Sequence, residues 1–175
     1  QIGDGGALVN FAILRTKKLK SKGAISRSAK HTFRSVPTPN ADPALTGLNR
    51  TVGAKGSDQL FAALERTLPT KRRKDAVLAV EYLITASPEA FKRHGGRLDD
   101  MGNGYFADAL KWLQQKHGKA NVISATIHLD ESTPHLVAYV VPMTADKRLS
   151  CRDFFGDPVK MRAMQTDFHA KCGAP

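Results

Sequence analysis

The sequence predicts an α+β domain, a central antiparallel β-sheet with helices packed on it. Three observations support this. Strand-like and helix-like segments follow the order β-α-α-β-α-α-β-β-α. Residues 122–129 alternate between apolar and polar faces, and the connector D-E-S-T-P joins them to a second apolar strand. At 175 residues, with 41% hydrophobic and 25% charged, the chain has enough material for one domain with its own core.

Residues 1–8 lack an initiator Met and read as a flexible lead-in or expression scar outside the fold, with 9–175 as one domain. Residues 10–15 (N-F-A-I-L-R) form a short apolar strand, and T-K-K-L-K-S-K-G reads as a basic turn after it. Residues 24–34 carry Ile25, Ala29 and Phe33 at helical spacing, which leaves Arg27, Lys30, His31 and Arg34 off the apolar stripe. Pro37 and Pro39 end that helix. Residues 37–55, rich in Pro, Asn, Thr and Gly, read as a functional loop or lid. A second helix spans 57–68, capped by Ser57, with Leu60, Leu64 and Leu68 on one face. The basic run T-K-R-R-K leads into a β-branched strand over 76–85 that carries Glu81. A short helix over 88–94 and a longer one over 99–117 end at glycines. In 122–129, Ile123, Ala125 and Ile127 face one way, and Val122, Ser124, Thr126 and His128 the other. The return strand covers 135–141, and an amphipathic helix covers 159–171.

The net charge of +11 sits entirely in the first part of the chain. Residues 1–74 hold 15 Lys and Arg against 4 Asp and Glu, and residues 75–175 hold 12 against 12. So one-sided an excess points to a polyanion, nucleic acid above all, with a solvated basic face as the plain alternative. No apolar run approaches the roughly 18 residues of a membrane span, and no signal segment is visible, so the chain reads as cytoplasmic. Cys151 and Cys172 form no C-x-x-C pair and read as free thiols.

His128, Asp130, Glu131 and His135 fall within eight residues around the predicted turn. Facing side chains on adjacent strands stand about 5 Å apart, so the two imidazoles can share a cation while Glu131 or Asp130 adds an oxygen. Such a set suits Mn²⁺ or Mg²⁺, with Zn²⁺ as a further option. The alternative is two strand histidines beside acids that cap a turn. A neutral His31 imidazole among phosphate-binding arginines can act as nucleophile or general base, unless it simply sits on a solvated helix face. Arg34, Lys71, Arg72 and Arg73 suit phosphate oxygens. Glu81, mid-strand between apolar residues, either pairs with a cation or faces a cleft.

Several of these segments resemble the N-terminal domain of plasmid mobilisation and recombination relaxases of the MobV (Pre/Mob) type. The resemblance runs through A-I-L-R-T-K-K-L-K, K-H-T-F-R with T-P-N-A-D, R-K-D-A-V-L-A-V-E-Y-L-I-T-A-S-P, and H-L-D-E-S-T-P-H. It continues in V-V-P-M-T-A-D-K-R-L-S, F-F-G and M-Q-T-D-F. The resemblance implies an HUH-endonuclease-like sheet carrying the metal histidines, and nicking of plasmid DNA at an origin of transfer. His31 matches the family's nucleophilic histidine, and Arg50 follows L-N where some relatives have tyrosine. Many relatives read P-H-x-H at the hairpin, whereas this chain has Val137 in place of the third histidine. Since valine cannot bind a metal, Glu131 or Asp130 is expected to complete the set with His128 and His135.

The expected mechanism is attack by His31 on the scissile phosphorus. Arg34 and Arg73 would neutralise charge, Glu81 would orient a cation or His31, and a divalent metal would polarise the phosphate. Lys30 and the run Lys71, Arg72, Arg73 and Lys74 would contact DNA. Relatives continue beyond this length, so a truncated protein is expected, with oligomerisation through an absent C-terminal region. The rival expectations are a non-catalytic, autoregulatory DNA-binding module and a metal-dependent nuclease that uses water.

Overall fold

The computed structural model describes residues 12–87 and 104–172. In chain order it contains β1 (Ala12–Leu19), α1 (Lys22–Thr32), β2 (Arg50–Gly53), α2 (Ser57–Thr67), β3 (Ala79–Ala86) and α3 (Tyr105–His117). It continues with β4 (Val122–His128), β5 (His135–Val140), α4 (Cys151–Phe155) and α5 (Pro158–Cys172). The strands form one sheet in the order β1-β3-β5-β4-β2, and every neighbouring pair is antiparallel. The fold is therefore the α+β arrangement that the element order predicts.

Alternation along the central strands gives the sheet two apolar faces. Val80, Tyr82 and Ile84 of β3 and Leu136, Ala138 and Val140 of β5 meet α3, α4 and α5. On the other face, Leu19, Ala79 and Tyr139 meet Ile25 and Ala29 of α1 and Leu60, Ala63 and Leu64 of α2. The sheet is thus the middle of three layers, and α1 and α2 cover only part of their side.

Several boundaries differ from the sequence reading. T-K-K-L is strand rather than turn, because an edge strand can point lysines outward, and Lys17 stands opposite Glu81. Helix α1 starts earlier than expected, since Ser21 caps it by accepting the Ala24 N–H at 3.1 Å. Helix α2 has Gly56, not Ser57, at its N-cap. β2, read as loop, is a four-residue edge strand on β4. Its end is built around Gly53, where φ is +84° and a Cβ would lie 2.6 Å from the Ile123 carbonyl oxygen.

The alternation of β4 also breaks once. A bulge between Val122 and Ser124 turns Ile123 toward the α1/α2 face, whereas Ala125 and Ile127 pack on the α3/α5 face. α4 was not foreseen. The helix expected over 88–94, the start of the one expected from 99, and residues 10 and 11 of the first strand lie outside the described residues. Both cysteines are free thiols. Among the described residues, no helix is long and apolar enough to cross a membrane.

Candidate active site

Helix α1 lies across the sheet beside the uncovered part of β1 and β3, and the gap is a cleft of about 520 Å³. Lys17, Arg27, His31, Glu81, His128 and His135 all line it. Expected site residues from four separate segments therefore open onto one space, and His31 is exposed there.

The histidine pair comes from hairpin register, with His128 opposite His135. His128 Nδ1 is 2.9 Å from His135 Nε2. The opposite nitrogens face backbone carbonyls, His128 Nε2 toward Thr32 at 2.7 Å and His135 Nδ1 toward Thr133 at 3.2 Å. A carbonyl only accepts, so each of those nitrogens carries the hydrogen and donates it. The tautomers assigned in this way leave two lone pairs facing each other. Either a proton or a cation between them removes the repulsion. Burial works against the proton, pushing His128 down to about 4 despite the Thr32 bond. The separation also suits one ion, since two bonds of about 2.1 Å at a right angle place their nitrogens about 3 Å apart. The pair therefore fits a divalent cation.

The two candidate carboxylates differ sharply. The Asp130 side chain has no exposed surface and receives Arg34 Nε and Nη2 at 2.8 Å each, with the Thr46 hydroxyl at 3.0 Å. Arg34 holds the Asp130 carboxyl far below the usual carboxylate range, against the cost of burial. Asp130 is thus occupied by protein donors. Glu131 is part-exposed, with Oε1 on Arg34 Nη2 at 2.9 Å and Oε2 3.7 Å from His135 Nδ1. Among the described residues, no group of three or more His, Cys, Asp and Glu side chains gathers at one point. The expected third ligand is adjacent to the histidine pair rather than joined to it.

Arg34 lines the same cleft, and most of its donors are taken up within the protein. Beyond its two carboxylates, Nη1 donates to the His31 carbonyl at 2.8 Å, so four of its five N–H donors are engaged within the protein. Glu81 faces the cleft and accepts the Ser28 hydroxyl at 2.9 Å. Ser28 in turn meets the Tyr139 hydroxyl at 2.6 Å, and Thr32 meets the same hydroxyl at 2.7 Å. Burial pushes Tyr139 up to about 12, so it stays a neutral phenol. Val137 lines the cleft between Leu83 and Thr126 on the neighbouring strands, where a third histidine would point.

The sequence matches the Mob_Pre family model, described as plasmid recombination enzyme, over residues 9–174. The chain belongs to the Mob_Pre family. It is 30% identical over 169 residues to the 65 kDa protein of Zymomonas mobilis, covering 92% of this chain and 28% of the relative. Plasmid recombination enzyme type 3 of Staphylococcus aureus is 30% identical over 171 residues, covering 92% of this chain and 40% of the relative. The chain therefore spans less than half the length of these relatives. Among solved structures, it resembles the Mn-bound MobM relaxase domain on 22-nucleotide oriT DNA of plasmid pMV158. The TM-score is 0.76 at 27% identity, over 93% of this chain and 85% of that one. The same domain on 26-nucleotide oriT DNA matches with a TM-score of 0.64 at 27% identity, over the same shares. The helix-flanked antiparallel sheet is the relaxase-like fold of the Mob_Pre family.

In this Mob_Pre domain none of the expected DNA-contact residues Lys30, Lys71, Arg72, Arg73 and Lys74 lines the cleft. Lys30 is exposed on α1 but absent from the cleft wall. Lys71, Arg72, Arg73 and Lys74 are exposed on the loop before β3, where Arg73 lies 3.8 Å from Asp75 and Arg72 donates to the Pro69 carbonyl. Sequence reasoning missed Lys17 and Arg27 in the wall, and the bonds of Ser28 and Thr32. Small hydroxyls three residues before and one after His31 were the available signal.

Proposed function

We propose that this chain is the catalytic domain of a relaxase that nicks one strand of plasmid DNA at an origin of transfer and joins the cut end to His31. The observation that carries the reading is the bond from His128 Nε2 to the Thr32 carbonyl. It fastens the turn of α1 that bears His31 to a histidine of the metal pair, so nucleophile and metal pair share one cleft. Family membership supports the reading, as does the likeness to a relaxase domain solved with Mn and oriT DNA.

His128, His135 and Glu131 would hold Mn²⁺ or Mg²⁺, and Asp130 is set aside because its oxygens already serve Arg34 and Thr46. A bound divalent ion supplies charge to the non-bridging oxygens of the scissile phosphate. The His31 lone pair forms a P–N bond as the P–O bond to the 3′-oxygen breaks. The 3′-oxygen leaves and takes up one proton, the imidazole's other nitrogen gives up its own, and the DNA 5′-end stays on His31 as a phosphoramidate. That bond stores the energy of the cut, so the reverse attack by a 3′-hydroxyl reseals the strand without ATP. Glu81, held by Ser28 one helical turn before His31, orients the imidazole or a neighbouring cation. Lys17 and Arg27 line the path of the strand at the cleft. Lys30 and Lys71, Arg72, Arg73 and Lys74 extend it outside. Action in the cytoplasm, and oligomerisation through a further C-terminal region, belong to the same proposal.

Supercoiled plasmid carrying the cognate origin tests it. The expected result is an open-circular product with Mn²⁺ and none with chelator. DNA binding with no Mn²⁺-dependent nick returns the non-catalytic reading.

A further inference from the structure

We infer that Arg34 is a positioning residue, which holds Glu131 and the His31 end of α1 in register through the buried Asp130, and that it is not a phosphate ligand. The inference rests on the proposed metal role of His128, His135 and Glu131.

The fork is anchored first. Arg34 Nε and Nη2 grip the two oxygens of Asp130 side-on at 2.8 Å each. Asp130 is fixed in turn by the segment that precedes β2. The Thr46 hydroxyl donates to its side chain, and the Asp42 N–H donates to its carbonyl at 2.6 Å. The preceding Leu129 N–H donates to Asn49 Oδ1 at 2.7 Å. The stretch read from sequence as a functional loop or lid is therefore tied to the β4/β5 turn by its backbone and its side chains.

From this anchor the guanidinium reaches in two directions. Nη2 takes Glu131 Oε1 at 2.9 Å, which leaves Oε2 on the side of His135. Nη1 takes the His31 carbonyl at 2.8 Å. One rigid planar group thus spaces the expected metal carboxylate against the expected nucleophile. Arg34 does this from φ = +57°, a left-handed conformation that a non-glycine residue holds at a cost. Turning the fork itself toward a phosphate would leave Asp130 buried without its ion-pair partner, which is costly, and the bonds to Asp130, Glu131 and the His31 carbonyl already engage four of the five N–H donors that Arg34 has at the cleft wall.

The test compares Arg34→Gln, Asp130→Asn and the double variant with the wild-type chain. Mn²⁺ affinity is read by calorimetry, and affinity for an origin oligonucleotide is read across a salt series. The inference predicts that each single variant weakens Mn²⁺ binding about ten- to a hundredfold, the range for partners that orient metal ligands. The double variant should be no worse than the weaker single, because both act on one device. The salt slope should stay unchanged in all three. Asp130 cannot touch DNA, so the same phenotype from Asp130→Asn identifies the positioning route. A salt slope flattened by about 0.7–0.9 in Arg34→Gln, with Mn²⁺ affinity intact, makes Arg34 a phosphate ligand and overturns the inference.

If Arg34→Gln fails to fold in a thermal melt, Thr46→Ala gives the milder perturbation, since it removes one bond to Asp130. A smaller loss of Mn²⁺ affinity is then expected, and none overturns the inference. A wild-type chain that takes up no Mn²⁺, or takes it up equally in His128→Ala, overturns the metal-site reading itself and is distinct from every Arg34 result.

Discussion

At the scale of single residues, the histidine pair was legible because hairpin register is a period-two property of local sequence. Which carboxylate stays open beside it was not legible. Asp130 and Glu131 are neighbours with the same chemistry and both meet Arg34, and they differ in that Asp130 is enclosed while Glu131 also lines the cleft, which depends on residues about 96 positions away. The Thr32 carbonyl that orients His128 was also hidden, because every residue has a carbonyl. Glu131→Ala is expected to weaken Mn²⁺ binding, and Val137→His, which adds an imidazole facing the same cleft, to strengthen it. Calorimetry on both variants decides, and unchanged affinity in Glu131→Ala removes that residue from the ligand set. Asp130→Ala leaves Arg34 half-buried without its main partner. Its unfolding free energy in urea should fall by about 3–5 kcal/mol, the usual cost of breaking a buried pair.

At the scale of elements, long periodic segments were read well and short ones were not. β2 is four residues with no hydrophobic period, and it becomes a strand only because β4 offers a free edge. Gly53→Ala would force a side chain into the left-handed region and against the Ile123 carbonyl. A loss of at least about 1–2 kcal/mol is expected, and stability equal to wild type would mean the edge pairing is dispensable.

Helix α3 contributes a different sensitivity. His117 is buried beside Phe154 and Phe155, with Nε2 on the Tyr82 hydroxyl at 2.6 Å and, among the described residues, no hydrogen-bond partner for Nδ1. Burial pushes it down from 6.5 to about 3. Between those values the unfolded chain binds the proton and the folded chain does not. This contribution is therefore fully present above pH 6.5 and is lost as pH falls toward 3. The loss is about 1.4 kcal/mol per pH unit, or about 2 kcal/mol at pH 5. His128, also pushed down by burial, adds in the same direction in the metal-free protein. Urea midpoints at pH 7 and pH 5 should converge in His117→Gln relative to wild type. An equal acid loss in both proteins would place the effect elsewhere.

At the scale of the whole molecule, the charge excess seen in sequence is carried by a few elements of the first half of the chain. β1, α1 and the loop before β3 carry the excess, and Lys17 and Arg27 bring it to the cleft. If Lys71, Arg72, Arg73 and Lys74 each neutralise a phosphate, replacing all four flattens the dependence of log affinity on log salt by roughly three units. An unchanged slope leaves that loop a solvated turn. The central claim is that His31 becomes covalently bonded to DNA, and it is tested most directly by the chemistry of the bond. Wild-type protein should be incubated with Mn²⁺ and an origin oligonucleotide, then treated with acid or base and resolved on a denaturing gel. A phosphoramidate hydrolyses in acid and survives base, so the account predicts an acid-labile adduct that His31→Ala abolishes without loss of DNA binding. An acid-stable adduct that persists in His31→Ala would contradict it, moving the nucleophile to a hydroxyl elsewhere in the chain.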